Sequence, residues 1–197
     1  MKKIIVNKFL LALALLFASG VAPAQAVEFK GVVGIGFDLG GDVLLSGTYS
    51  DGSSWEVHAN QGLIFNGGVV MVTGNFETQA TVGYKFGGPT ASNGSVTFSV
   101  VPVELIEFYR TGNVRMGLGL SYHSNAKLDV SVPNSSLNGV HEFDDAVGTV
   151  AQIGWAPAGS KYSVDLRYTT ATFKVKGVAN AKDINGNVAG LYASYYF

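Results

Sequence analysis

From Val114 to Leu128 the chain alternates. Val114, Met116, Leu118, Leu120 and Tyr122 fall on one face, and Arg115, Gly117, Gly119, Ser121 and His123 on the other. A period of two with unlike faces predicts a β-strand lying between two different environments. The pattern recurs at Phe76 to Phe86, where Phe76, Ala80, Val82, Tyr84 and Phe86 oppose Glu77, Gln79, Thr81, Gly83 and Lys85. It returns at Phe29 to Asp38, at Tyr162 to Thr169 and at Val188 to Phe197, where Ala189, Leu191, Ala193, Tyr195 and Phe197 share a face. Three more segments read as strands with less regular faces. Gly62 to Val72 is glycine-rich, Ser95 to Tyr109 is apolar on both faces around Pro102, and Phe143 to Trp155 mixes its faces. The expectation is eight strands.

The connections between them alternate in length. Thr73-Gly74-Asn75, Thr111-Gly112-Asn113 and Pro157-Ala158-Gly159 are short, whereas residues 40–61, 87–94, 131–142 and 177–186 are longer and polar. Tight turns therefore gather at one end and long loops at the other, as in a membrane barrel with its turns in the periplasm. Aromatics fall at two levels: Phe29, Phe76, Tyr109, Trp155, Tyr162 and Phe197 beside the turns, and Phe37, Tyr84, Tyr122 and Tyr168 farther along. Eight steps at about 3.3 Å, tilted near 40°, separate the levels by roughly 20 Å, which predicts two girdles around an apolar band. In the first long loop, Val43 to Ser50 and Ser54 to Ala59 flank Asp51-Gly52, a strong hairpin turn. We expect a hairpin projecting beyond the membrane. The alternative is a ten-stranded barrel, although these arms are shorter than the roughly 9 to 11 residues a spanning strand needs.

Composition narrows the class. Cysteine is absent, which excludes disulfides, thiolate metal sites and thiol nucleophiles. Only 14% of residues are charged, and the polar faces of the clear strands are rich in glycine and serine. That suits a cramped interior better than the watery exterior of a soluble barrel. At the front, Lys2, Lys3 and Lys8 precede an apolar run from Phe9 to Ala18, and Ala24-Gln25-Ala26 supplies small residues for cleavage. This predicts a signal peptide over residues 1–26, since about ten apolar residues are too few to span a bilayer. The barrel domain then covers residues 27–197. Losing three of the 13 basic residues leaves 10 against 14 acidic ones, a formal charge of −4, which offers nucleic acid no electrostatic footprint.

With signal, strands and terminal aromatic in place, the chain resembles the small outer-membrane β-barrel proteins of Gram-negative bacteria, of the OmpA-barrel, OmpX and OmpW type. More narrowly it looks like a group of outer-membrane barrels of aquatic proteobacteria. Residues 43–62 with Tyr-Ser-Asp-Gly-Ser-Ser, Tyr84-Lys85-Phe86, Pro102-Val103-Glu104-Leu105 and residues 116–128 with Gly-Leu-Gly-Leu-Ser-Tyr-His carry that likeness. The resemblance implies an all-β, eight-stranded antiparallel up-and-down transmembrane barrel, integral to the outer membrane. It implies surroundings of lipid and lipopolysaccharide, assembly machinery that reads the strand ending at Phe197, and a monomer. It implies no activity, because fold does not fix function.

Inward parity nominates Lys30, Glu77, Lys85, Glu104, Arg115, His123, Asp165 and Arg167 as interior residues. Both signs are present, so the expected arrangement is a salt-bridged plug centred on Glu77, Glu104, Arg115, His123, Asp165 and Arg167, in a space that eight strands barely leave open. A gated path for protons or small ions is the competing reading. His123 and Ser124 invite comparison with outer-membrane lipid A deacylases, but neighbouring side chains on a strand point oppositely, so no catalytic residue is assigned. His141, Glu142, Asp144 and Asp145 match no calcium-loop template, so no metal or other cofactor is expected. His58 reads as an exposed polar residue. Val96, Phe98 and Val100 suit either an apolar ligand pocket or core filling. The expected role is non-enzymatic: structural, or surface interaction through the outer loops. A conduit for small or hydrophobic molecules, and then a lipid-modifying enzyme, are the alternatives.

Overall fold

The computed structural model describes residues 26–49, 51–91 and 94–197. Among them, eight strands make one wall: β1 (Val27–Gly40), β2 (Gly62–Thr73), β3 (Phe76–Gly87), β4 (Gly94–Thr111), β5 (Val114–Ser131), β6 (Ala146–Trp155), β7 (Tyr162–Thr169) and β8 (Val188–Tyr196). Each pairs antiparallel with its sequence neighbours, and β1 pairs with β8. The ring is closed, so every edge is satisfied, which is what lets strands exist in lipid. At two of the short turns Gly74 and Gly112 adopt φ of 59° and 58°, a left-handed backbone that glycine takes without steric cost. The repeated Thr-Gly-Asn is thus one turn used twice on one rim. The predicted signal peptide lies outside the described residues.

Alternation becomes sidedness. In β7, Ser163, Asp165, Arg167 and Thr169 are buried while Tyr162, Val164, Leu166 and Tyr168 are exposed. Apolar side chains such as Leu118 (72% exposed), Leu166 (63%) and Leu191 (56%) project outward between the two aromatic levels. Neighbouring rings meet across strands at the short-turn rim: Phe76 with Tyr109 at 5.4 Å and Trp155 with Tyr162 at 6.3 Å between centroids. An apolar belt bounded by aromatic girdles is a surface made for lipid.

The eight wall strands are those expected, and three details go beyond the sequence reading. Among the described residues the first-loop strands, Val43–Thr48 and Ser54–His58, pair only with each other, so they add no strand to the wall. Their hairpin does not simply project: Val57, Ala59 and Asn60 at its return arm are buried. The sixth strand begins at Ala146, and from there alternates cleanly; Phe143 precedes it and turns inward. Lastly, β5 carries an extra residue. Its register against β4 shifts near Ser124, and Asn125 sits at φ 54°. This bulge moves the inward positions from Arg115, Ser121 and His123 below it to Ala126, Leu128 and Val130 above it.

Because β4 and β5 run 18 residues each, their hairpin stands well above the shorter wall of β7 and β8. Against its inner side packs an apolar cluster: Val96, Phe98 and Val100 from β4, Ala126, Leu128 and Val130 from β5, and Val57, Ala59, Phe143, Ala146, Ala171 and Phe173 from the loops and the start of β6. Phe98 and Phe143, and Phe98 and Phe173, meet with ring centroids 6.0 and 5.9 Å apart. Those distances and tilted angles are the favourable ones for aromatic pairs.

Candidate functional site

Below this cap the interior is ionic, arranged in two layers. The layer nearer the short turns centres on Arg115, whose Nε and Nη2 donate to the two oxygens of Asp165 at 2.7 and 2.6 Å. Both residues pair with Gly154 of the intervening β6, and the missing side chain there lets them reach each other. A fork-to-carboxylate pair of this kind fixes direction as well as distance. Arg115 also donates to the hydroxyl of Tyr196 and lies 4.2 Å from the centre of the Phe108 ring. Ser163 donates to Asp165 at 2.9 Å, and Glu77 lies 3.6 Å from Arg115 and 3.2 Å from Arg110.

The second layer joins Arg167 to Glu104 at 2.8 Å and to the Gln152 side-chain oxygen at 3.0 Å. Ser121 and Thr81 donate to Glu104 at 3.3 and 3.4 Å. The Arg167 guanidinium stacks 4.3 Å from the centre of Tyr192, whose hydroxyl donates to Asp38 at 2.6 Å. Asp38 in turn pairs with Lys85 at 2.5 Å. Lys85 donates to both the backbone and side-chain oxygens of Asn60, so the first loop is tied to the floor beneath it. Tyr192 has room because it faces Gly36 across the β1–β8 ladder; a Cβ at Gly36 would sit 2.6 Å from its ring.

Among the described residues the interior charges balance. Asp38, Glu77, Glu104 and Asp165 face Lys85, Arg110, Arg115 and Arg167, four of each sign. Buried ions are costly unless paired and hydrogen-bonded, and here each finds an opposite within the barrel.

No family model and no curated protein sequence matches the chain. Among solved structures it is similar to the crystal structure of Neisserial surface protein A. The TM-score is 0.50 at 12% identity, covering 88% of this chain and all of that one. The fold is that of the small outer-membrane β-barrels. With the apolar belt turned outward, the outer surface is that of a membrane-spanning barrel. A second similar structure is that of outer membrane protein AlkL in lipid bilayers, with a TM-score of 0.40, 16% identity and coverage of 89% of this chain and 95% of that one.

Of the interior residues expected from parity, Glu77, Glu104, Arg115, Asp165 and Arg167 are buried and brought together in these two layers. Lys85 is buried with them. His123 is buried beside the second layer without bonding to it: its ring meets Phe173 edge-on at 5.7 Å, and neither nitrogen has a hydrogen-bond partner among the described residues. Lys30 belongs elsewhere, since it is partly exposed at the rim and pairs with Glu28 at 3.1 Å. Asp38, Tyr192 and Tyr196 share the inward faces of β1 and β8, so the same parity carries them, although a tyrosine on such a face does not by itself mark a polar contact. Asn60 comes from a loop and carries no periodic signal.

The remaining chemistry resolves into structural contacts. Ser124 donates to the backbone oxygen of Val101 at 3.1 Å, on the far side of the strand from His123, so the two make no nucleophile–base pair. His141 contacts the Leu137 carbonyl at 2.9 Å, Glu142 pairs with Lys176, and Tyr122 donates to Asp145 at 2.8 Å. Among the described residues no group of three acidic or histidine side chains is set to hold a metal. His58 is half-buried against the Gly41 carbonyl at 3.0 Å and Glu56 at 3.2 Å rather than freely exposed. Val96, Phe98 and Val100 are almost wholly buried by their neighbours, which is core filling.

Proposed function

We propose that this protein is a sealed, non-enzymatic outer-membrane barrel whose working surface is its outer loops, carried on a wall stiffened from within. What supports this reading is the continuous filling of the axis. Going outward from the short turns, Tyr196, Arg115 and Asp165 are followed by Arg167, Glu104 and Tyr192, then by Lys85, Asp38 and Asn60, and finally by Phe98, Phe143 and Phe173. An ion crossing such an interior must break paired charges and part an apolar cap. Among the described residues no serine hydroxyl is hydrogen-bonded to the one interior histidine, His123, as the nucleophile–base pair of ester chemistry requires.

In the same reading residues 1–26 are removed on export, the strand ending at Phe197 is what the assembly machinery engages, and the barrel works as a monomer. Proteoliposome swelling tests the seal: with sugars and amino acids as solutes, swelling should match protein-free vesicles. Swelling that scales with protein content would overturn it. N-terminal sequencing of the membrane-inserted protein should read Val27 first; a start at Met1 would refute cleavage.

A further inference from the structure

The outward face between the girdles is apolar with a conspicuous exception. Glu107 lies on β4 at the same parity as Val103 and Tyr109, which are exposed. Among the described residues it is the one Asp, Glu, Lys, Arg or His on the lipid side of the wall between the two aromatic levels. Thr78 of β3, directly opposite in register, donates its hydroxyl to Glu107 Oε2 at 2.6 Å. On the other flank Glu107 faces Leu118, 72% exposed. One hydroxyl satisfies only part of a carboxylate that can accept about four hydrogen bonds, and hydrocarbon supplies none.

The next outward pair toward the short turns is Phe76 and Tyr109, whose rings are 5.4 Å apart and inclined at 59°. Two residues along tilted strands lower that pair by about 5 Å, so the carboxylate sits just inside the girdle, at the boundary between headgroups and acyl chains. A carboxylate above two exposed aromatic rings combines the two features that attract an organic cation: negative charge with open acceptors, and π faces.

We propose that Glu107, Thr78 and the Phe76–Tyr109 pair form a site on the outer wall for the primary ammonium headgroup of a phospholipid in the periplasmic leaflet. A primary ammonium offers three N–H donors to the carboxylate, whereas a quaternary one offers none. The site therefore selects ethanolamine over choline headgroups. It binds at the wall and is independent of whether the interior is sealed.

The test is native mass spectrometry of the protein extracted from membranes and exchanged into nanodiscs of equal ethanolamine, choline and glycerol phospholipids. The ethanolamine lipid should be retained about fivefold over the choline lipid, the worth of one net hydrogen bond to the carboxylate, and Glu107→Gln should bring retention to the bulk ratio. Glu107→Leu, a residue suited to lipid contact, should insert as readily as the parent and also lose the preference, which guards against a folding defect in the first variant. Equal retention of the headgroups by the parent protein would overturn the proposal. So would a preference that survives both substitutions, or a two-protomer species that disappears with Glu107→Leu, since the face would then serve a second copy of this chain.

Discussion

Below the outer girdle this barrel is polar inside and apolar outside; above it, the extended β4 and β5 are apolar inside and polar outside. Arg115, Ser121 and His123 point inward on the lower part of β5, and Leu118 outward. Past the bulge at Asn125, Ala126, Leu128 and Val130 point inward while Asp129 and Ser131 are exposed. The difference teaches that one rule serves both regions: each face takes the polarity of what touches it. Lipid surrounds the lower wall, so polar groups retreat inside and must pair. Water surrounds the upper hairpin, so an ordinary hydrophobic core forms there.

Breaking the ionic half should cost most. Asp165→Ala strands the buried Arg115 guanidinium, and urea unfolding of the refolded barrel should lose about 3–5 kcal/mol. Replacing both members together, by Arg115→Leu with Asp165→Leu, should recover most of that loss, because no buried charge is then left without a partner, Glu77 keeping Arg110 at 3.2 Å. If the single and double variants lose equally, the layer is not an ion-pair network.

Breaking the apolar half should cost somewhat less. Phe173→Ala removes a ring that meets Phe98, Phe143 and His123, and about 3 kcal/mol is expected from the cavity left behind. Limited proteolysis should then reach the first loop while the wall stays protected. Unchanged loop protection would show that the cap is not a cooperative core.

The boundary between the halves has its own residue. Asn125→Val places a β-branched side chain in a left-handed backbone and should cost about 1–2 kcal/mol, while Asn125→Gly should be neutral or slightly stabilising. Equal effects of the two would mean that the bulge is not held by this backbone conformation.

Outside both halves, little is expected. Lys176 is exposed and held above its ordinary pKa of 10.5 by its hydrogen bond to, and charge attraction from, Glu142. A raised folded-state pKa lends stability below the ordinary value, lost as pH rises through the shifted one. With solvent and salt screening this pair, Lys176→Met should leave the unfolding midpoint unchanged between pH 7 and about pH 9. A clear drop would mean that the loop pair supports the cap.

The halves were unequally legible in the sequence. In the lower wall, period two fixes direction and direction fixes environment, so Glu77, Glu104, Arg115, Asp165 and Arg167 could be placed inside by counting. The upper region defeated counting twice. On β4 inward parity never changes, but polarity inverts along it from Glu104 to Phe98, so the segment read as apolar on both faces. On β5 the bulge at Asn125 flips parity, which an asparagine among polar neighbours does not announce. Loop residues such as Asn60, Phe143 and Phe173 reach the axis through tertiary contacts, with no period to reveal them.

The central claim is that paired charges and an apolar cap close the axis, and single-channel recording in a planar bilayer tests it most directly. The account predicts a flat baseline for the refolded protein across the voltages the bilayer withstands. Steady conductance steps in the parent protein that vanish in Glu104→Ala or Arg115→Ala would contradict it, since the same residues would then line an open path.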